Sequence, residues 1–119
     1  MIEIISFDNE KVIGLKVSGK IQADGIEDVK RVIDEKLEKY EKLNVYVEFA
    51  EVLDMSSEAF YKDLKFSFSH FGDFEKEAVV SDKKWLDIMI SVVDKLTPSL
   101  EVRHFSRNEI EAAKAWIQK

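Results

Sequence analysis

The chain has 119 residues, 24 acidic against 18 basic, for a net charge of −6, with 45% apolar and 35% charged side chains and no cysteine. This composition suits one packed core under a solvated shell, and it excludes disorder, disulfide frameworks, thiolate nucleophiles and Cys-based metal sites. An acidic chain with no basic stripe lacks the means to neutralise phosphates, so no nucleic-acid partner is expected, and the same charge repels an anionic bilayer.

The first segments are β-type. Ile2 to Ser6 and Val12 to Ser18 flank Asp8, Asn9 and Glu10, which suit a tight turn, so the pair reads as an antiparallel hairpin. The alternation from Met1 to Phe7 gives no signal peptide. No stretch approaches the roughly 18 apolar residues of a membrane span. The expected setting is therefore a small soluble protein of the cytoplasm, and residues 1–119 read as one domain.

From Gln22 to Tyr40 the period lengthens, with Ile26, Val29, Ile33, Leu37 and Tyr40 spaced by three and four among charged residues, the pattern of an amphipathic surface helix. Leu43 to Ala50 alternates, with Leu43, Val45, Val47 and Phe49 set against Asn44, Tyr46 and Glu48, as in a strand with one well-buried face. After a connector at Glu51 to Asp54, Ser56 or Ser57 can cap a helix that runs to about Phe71 and stops at Gly72. Ala78 to Ser81 reads as a short strand, and Asp82 as the cap of a helix that carries Trp85, Met89, Val92 and Leu96 and ends at Pro98. Leu100 to Phe105 is a further alternating strand. Ser106 with Glu109 forms a capping box that opens a last helix through Trp116 and Ile117.

The order is thus β-β-α-β-α-β-α-β-α in an α/β domain. After the first hairpin the strands should run parallel through right-handed crossovers, in a mixed, mostly parallel sheet. Strands covered on both faces read as continuous apolar runs. Because the third and fifth strands alternate, helices are expected mainly on one face, with Tyr46, Glu48, Glu101 and Arg103 on the less covered, solvated side.

Tyr61, Asp63, Lys65, His70, Phe74, the run Ala78-Val79-Val80-Ser81-Asp82 and Trp85, in this order of elements, resemble the SpoIIAA-like family of the STAS superfamily. The likeness spans nearly the whole chain. It implies a (βα) superhelix with helices stacked on one face, related in fold to the CRAL-TRIO lipid carriers. It also implies a non-catalytic module that binds a protein partner or itself, as anti-sigma-factor antagonists do under control of serine phosphorylation. Regulated members carry an Asp-Ser-Ser-Gly type turn after the third strand. Here the corresponding run is Asp54-Met55-Ser56-Ser57-Glu58, whose Glu58 carboxylate would repel a phosphate on Ser56 or Ser57.

Each conspicuous group has a simpler reading beside the functional one. Asp63 and His70 lie seven residues apart, so their Cα atoms sit about 10 Å apart on one helix face, too far to bond directly. With Phe66 between them they could line a pocket, yet a structural histidine near a helix C-terminus and a locally ion-paired aspartate account for both. On the helix of Trp85 and Met89 the apolar arc spans roughly 200°, twice the usual stripe. That fits deep burial between neighbouring helices, a dimer interface, or a cleft for a lipid or other apolar small molecule. Ser56 and Ser57 serve first as caps. Ser81 and Asp82 end a strand where open parallel sheets bind ligands, although a capping role explains Asp82. The four glycines have neither dinucleotide-fold nor P-loop spacing. No nucleophile elbow, zinc-binding helix motif or other catalytic pattern is present, so neither enzyme activity nor a cofactor or metal is expected.

Overall fold

The computed structural model describes residues 1–20, 22–53, 73–82 and 100–119. Five strands, β1 (Ile2–Ile5), β2 (Val12–Gly19), β3 (Leu43–Leu53), β4 (Phe74–Val80) and β5 (Glu101–Phe105), form one sheet in sequential order. β1 pairs antiparallel with β2, and every later pairing is parallel. Helix α1 spans Ala23–Leu37; a 3₁₀ turn at Arg107–Glu109 leads into α2, Ile110–Ile117. None of the helices among the described residues is long and apolar enough to cross a membrane.

The hairpin turn is built by Asn9. Its carbonyl accepts from Val12 N at 3.0 Å and its side-chain Oδ1 from Lys11 N at 3.0 Å, the local bonding that makes asparagine a turn residue. Asn9 also donates through Nδ2 to the Gln118 carbonyl at 3.0 Å, which ties the turn to the end of α2. Beyond the turn, the Phe7 ring lies directly on Gly14. A Cβ at position 14 would fall 2.4 Å from Phe7 Cε2 and 2.8 Å from the Ile5 carbonyl oxygen. Because one of those atoms is backbone, the clash cannot be relieved by a rotamer change. Gly14→Ala is expected to lower unfolding free energy by about 1–3 kcal/mol in urea titrations. A loss under about 0.5 kcal/mol would mean that Phe7 swings clear at little cost.

α1 forms where the three-and-four spacing places it. Val29 is buried, and Ile26, Ile33, Leu37 and Tyr40 pack against a cluster that includes Ile13, Leu15, Val17, Val45, Val47 and Phe49. Each fully buried side chain of this kind contributes about 1.5–3 kcal/mol. α2 packs against the opposite face, with Ala113, Trp116 and Ile117 on Val12, Tyr46, Ala78, Val80 and Phe105. The described helices thus cover one face each, and the two middle helices expected from the sequence, after Ser56 or Ser57 and after Asp82, fall on residues outside those described. The solvated setting expected for Tyr46 and Glu48 is corrected by their burial. Tyr46 is wholly buried, packed in the α2 cluster with Phe7 edge-on to its ring, and Glu48, which it bonds, is nearly so. Glu101 and Arg103, on the edge strand, are exposed as expected.

Two strands outrun their sequence patterns. β3 continues to Leu53, through the expected connector, because Leu53 pairs with Gly19 beyond a register shift in β2. β4 begins at Phe74, four residues early. Its charged run Glu75-Lys76-Glu77 reads as a loop in isolation but is held in a ladder between β3 and β5. At the start of the last helix the capping box forms as predicted: Ser106 N donates to Glu109 Oε1 at 2.9 Å, and this backbone hydrogen bond holds the Glu109 carboxyl below its ordinary pKa.

Candidate functional site

Three places in the described structure concentrate polar or open surface. The first is the carboxyl end of β4, where the sequence pointed to Ser81 and Asp82. Ser81 is buried; its N–H donates to the Phe105 carbonyl at 3.0 Å and its own carbonyl meets His104 Nε2 at 2.5 Å. Asp82 Oδ1 accepts from Arg107 N at 3.0 Å, so it caps the turn that begins the last helix from across the sheet. These groups hold β4, β5 and α2 together.

The second is a polar chain on the α2 side of β3. Tyr46 Oη donates to Glu48 Oε1 at 2.6 Å, and Lys16 Nζ approaches Glu48 Oε2 at 3.8 Å. Burial first, and then the hydrogen bond to Glu48, pushes the Tyr46 phenol far above the usual tyrosine range. A phenol that stays protonated beside a carboxylate it already serves is a fixed donor–acceptor pair, and it locks the centre of the sheet. Arg107 adds a guanidinium bond to the Phe49 carbonyl nearby.

The third is an open groove of about 620 Å³ between the hairpin and the last turns of α1. Ile4, Ser6 and Phe7 form one side and Val32, Glu35 and Lys39 the other, over Ile13. Its end is closed by Glu10. The carboxylate of Glu10 accepts from Tyr40 Oη at 3.1 Å, which raises the Tyr40 pKa, and its backbone carbonyl accepts from Lys36 Nζ at 2.7 Å. Ile4 at 40% and Met1 at 66% exposure are the large exposed apolar side chains of the described residues; Ile4 lines this groove and Met1 precedes β1.

The residues singled out from the sequence as ligand-binding candidates, Asp63, Phe66, His70, Trp85 and Met89, and the serines Ser56 and Ser57 considered for phosphorylation, lie outside the described residues. Sequence reasoning missed the groove because Ile4, Ile13 and Val32 come from three segments that each read as ordinary core. The available signal was the adjacency of Ile4 and Ile5: neighbouring strand residues point to opposite faces, so the first strand is apolar on both. It also missed Glu77, a wholly buried carboxylate in register between Val45 and Val102, since a charge next to a short apolar run reads as solvated.

A mixed sheet opened by an antiparallel hairpin and continued by parallel crossovers, with sequential strand order, defines an α/β domain of the SpoIIAA-like class. The family model described as SpoIIAA-like matches residues 12–118, and the chain belongs to that family. Among solved structures it is similar to an uncharacterized protein of the DUF3478 family with a SpoIIAA-like fold from Shewanella loihica PV-4. The identity is 18%, the match covers 98% of this chain and 92% of that one, and the TM-score is 0.64, a likeness of fold. None of the curated proteins matches the chain.

Proposed function

We propose that the protein is a non-catalytic, cytoplasmic interaction module that binds another polypeptide, with no nucleic-acid partner. The observation that carries this reading is the edge strand β1. It ends the sheet, bears the exposed Ile4, and borders a groove rimmed by Glu35 and Lys39. Exposed apolar side chains beside a charged rim are the usual anatomy of a protein-binding surface. Membership of the SpoIIAA-like family supports the same reading.

Native mass spectrometry of protein purified from its own host tests it. The expected result is a chain free of small-molecule adducts and present in part in a protein–protein species. Reversing one rim charge, Lys39→Glu, is expected to weaken that species by about tenfold while leaving the far-ultraviolet dichroism unchanged. A stoichiometric apolar adduct with no protein–protein species would overturn the proposal in favour of a carrier of a lipid or other apolar small molecule.

A further inference from the structure

We infer that the polypeptide bound at β1 is a second copy of this chain, joined antiparallel about a two-fold axis with Ile4 opposite Ile4, so that the two five-stranded sheets become continuous. This rests on the interaction-module reading and names its partner.

The ladder determines which backbone groups are available. Ser18 N donates to the Met1 carbonyl at 2.9 Å and the Met1 amino group to the Ser18 carbonyl, so Met1 and Ser18 form a doubly bonded pair. Such pairs alternate along an antiparallel ladder. With Glu3 opposite Lys16 and Ile5 opposite Gly14, Glu3 and Ile5 direct their N–H and C=O groups toward β2, and Ile2 and Ile4 direct theirs away from it. No strand among the described residues lies on that side. An edge carrying unpaired main-chain groups and an exposed isoleucine is a template for another strand.

Self-pairing is selective in register. Outward-facing residues must meet outward-facing ones, which leaves two symmetric arrangements with substantial overlap. Placing Ile2 opposite Ile4 of the second copy sets Glu3 directly against Glu3, a like-charge pair that destabilises a sheet. Placing Ile4 opposite Ile4 sets Glu3 against Ile5 and Ile2 against Ser6, with no like charges opposed and the exposed isoleucines on one another. The surface is then its own complement, as a two-fold interface requires. So short an overlap forms a weak dimer, with Kd on the order of 10–100 µM. Because each copy carries a net charge of −6, added salt should tighten it.

Sedimentation equilibrium across the micromolar range, with isotope-filtered NMR on a mixture of labelled and unlabelled chains, tests the inference. The expected result is a doubling of mass with concentration and an intermolecular contact between the α-protons of Glu3 and Ile5. Ile4→Pro removes an N–H that β2 does not use, so it should weaken the dimer at least tenfold with the β1–β2 ladder intact; Ile4→Lys should do the same and serves if the proline variant fails to fold. A monomer at every concentration, or a dimer that survives both variants, overturns the inference. Neither outcome touches the interaction-module reading, which falls only to the small-molecule adduct described above.

Discussion

Trp116→Ala is expected to lower the unfolding free energy by about 3–5 kcal/mol. Trp116 is 8% exposed and is the largest side chain that α2 contributes to the second core cluster. Its ring centroid lies 6.0 Å from that of Phe105, and Arg103 and Lys76 flank it at 4.9 Å and 5.3 Å in cation–π geometry. Truncation removes those contacts and leaves a void over Ala78 and Val80, in a helix of eight residues too short to persist without its packing. The loss should therefore reach past the site. With α2 loosened, the bond from Asn44 Nδ2 to the Ile117 carbonyl and the tie between Asn9 and Gln118 are released together, and the hairpin loses its anchor. Urea titration followed by far-ultraviolet dichroism gives the magnitude, and hydrogen exchange at Val12 and Lys11 reports the hairpin. A cost under about 1 kcal/mol would show that α2 is not what closes this face of the sheet.

Tyr46→Phe should cost about 1.5–3 kcal/mol at neutral pH, because the buried Glu48 carboxylate loses a charge-assisted hydrogen bond while the ring and its edge contact with Phe7 are kept. The same substitution should change the alkaline limb of the stability curve. The folded state holds the Tyr46 phenol protonated, through burial and then through Glu48, so its folded pKa is raised above the unfolded value of about 10. A raised pKa contributes stability that is fully present below the unfolded value and is lost progressively as pH rises above it, since only the unfolded chain then releases the proton. The wild-type protein should therefore lose stability above about pH 10 faster than Tyr46→Phe, and the two curves should converge. Parallel curves through that range would mean that Tyr46 is solvated, in conflict with its burial.

These two expectations meet in one design feature. A polar stripe on the central strand has been covered by a helix, and the fold partners it internally through Tyr46 to Glu48 and Asn44 Nδ2 to Ile117, leaving Asn44 Oδ1 without a hydrogen-bond partner among the described residues. Among the described residues, the open apolar surface lies at the edge of the sheet, where Ile4 and the outward groups of β1 meet solvent beside the groove.

Local pattern alone determined much of this protein. The hairpin about Asn9, the α1 face of Ile26, Val29, Ile33 and Leu37, the capping box of Ser106 and Glu109 and the mostly parallel order were all legible, because each depends on residues within a few positions of one another or on connection length. Tertiary structure alone decided which faces are covered. The alternation of Asn44, Tyr46 and Glu48 is the pattern of an exposed face, and its burial follows from a helix more than sixty positions later in the chain, with Asn44 paired to Ile117 at a separation of 73. The strand conformation of Phe74 to Glu77 has a like origin, a ladder supplied from both sides. The site divides along the same line: two adjacent isoleucines mark a strand apolar on both faces, but only strand order makes it an edge, because exposure is a property of neighbours and not of the residue.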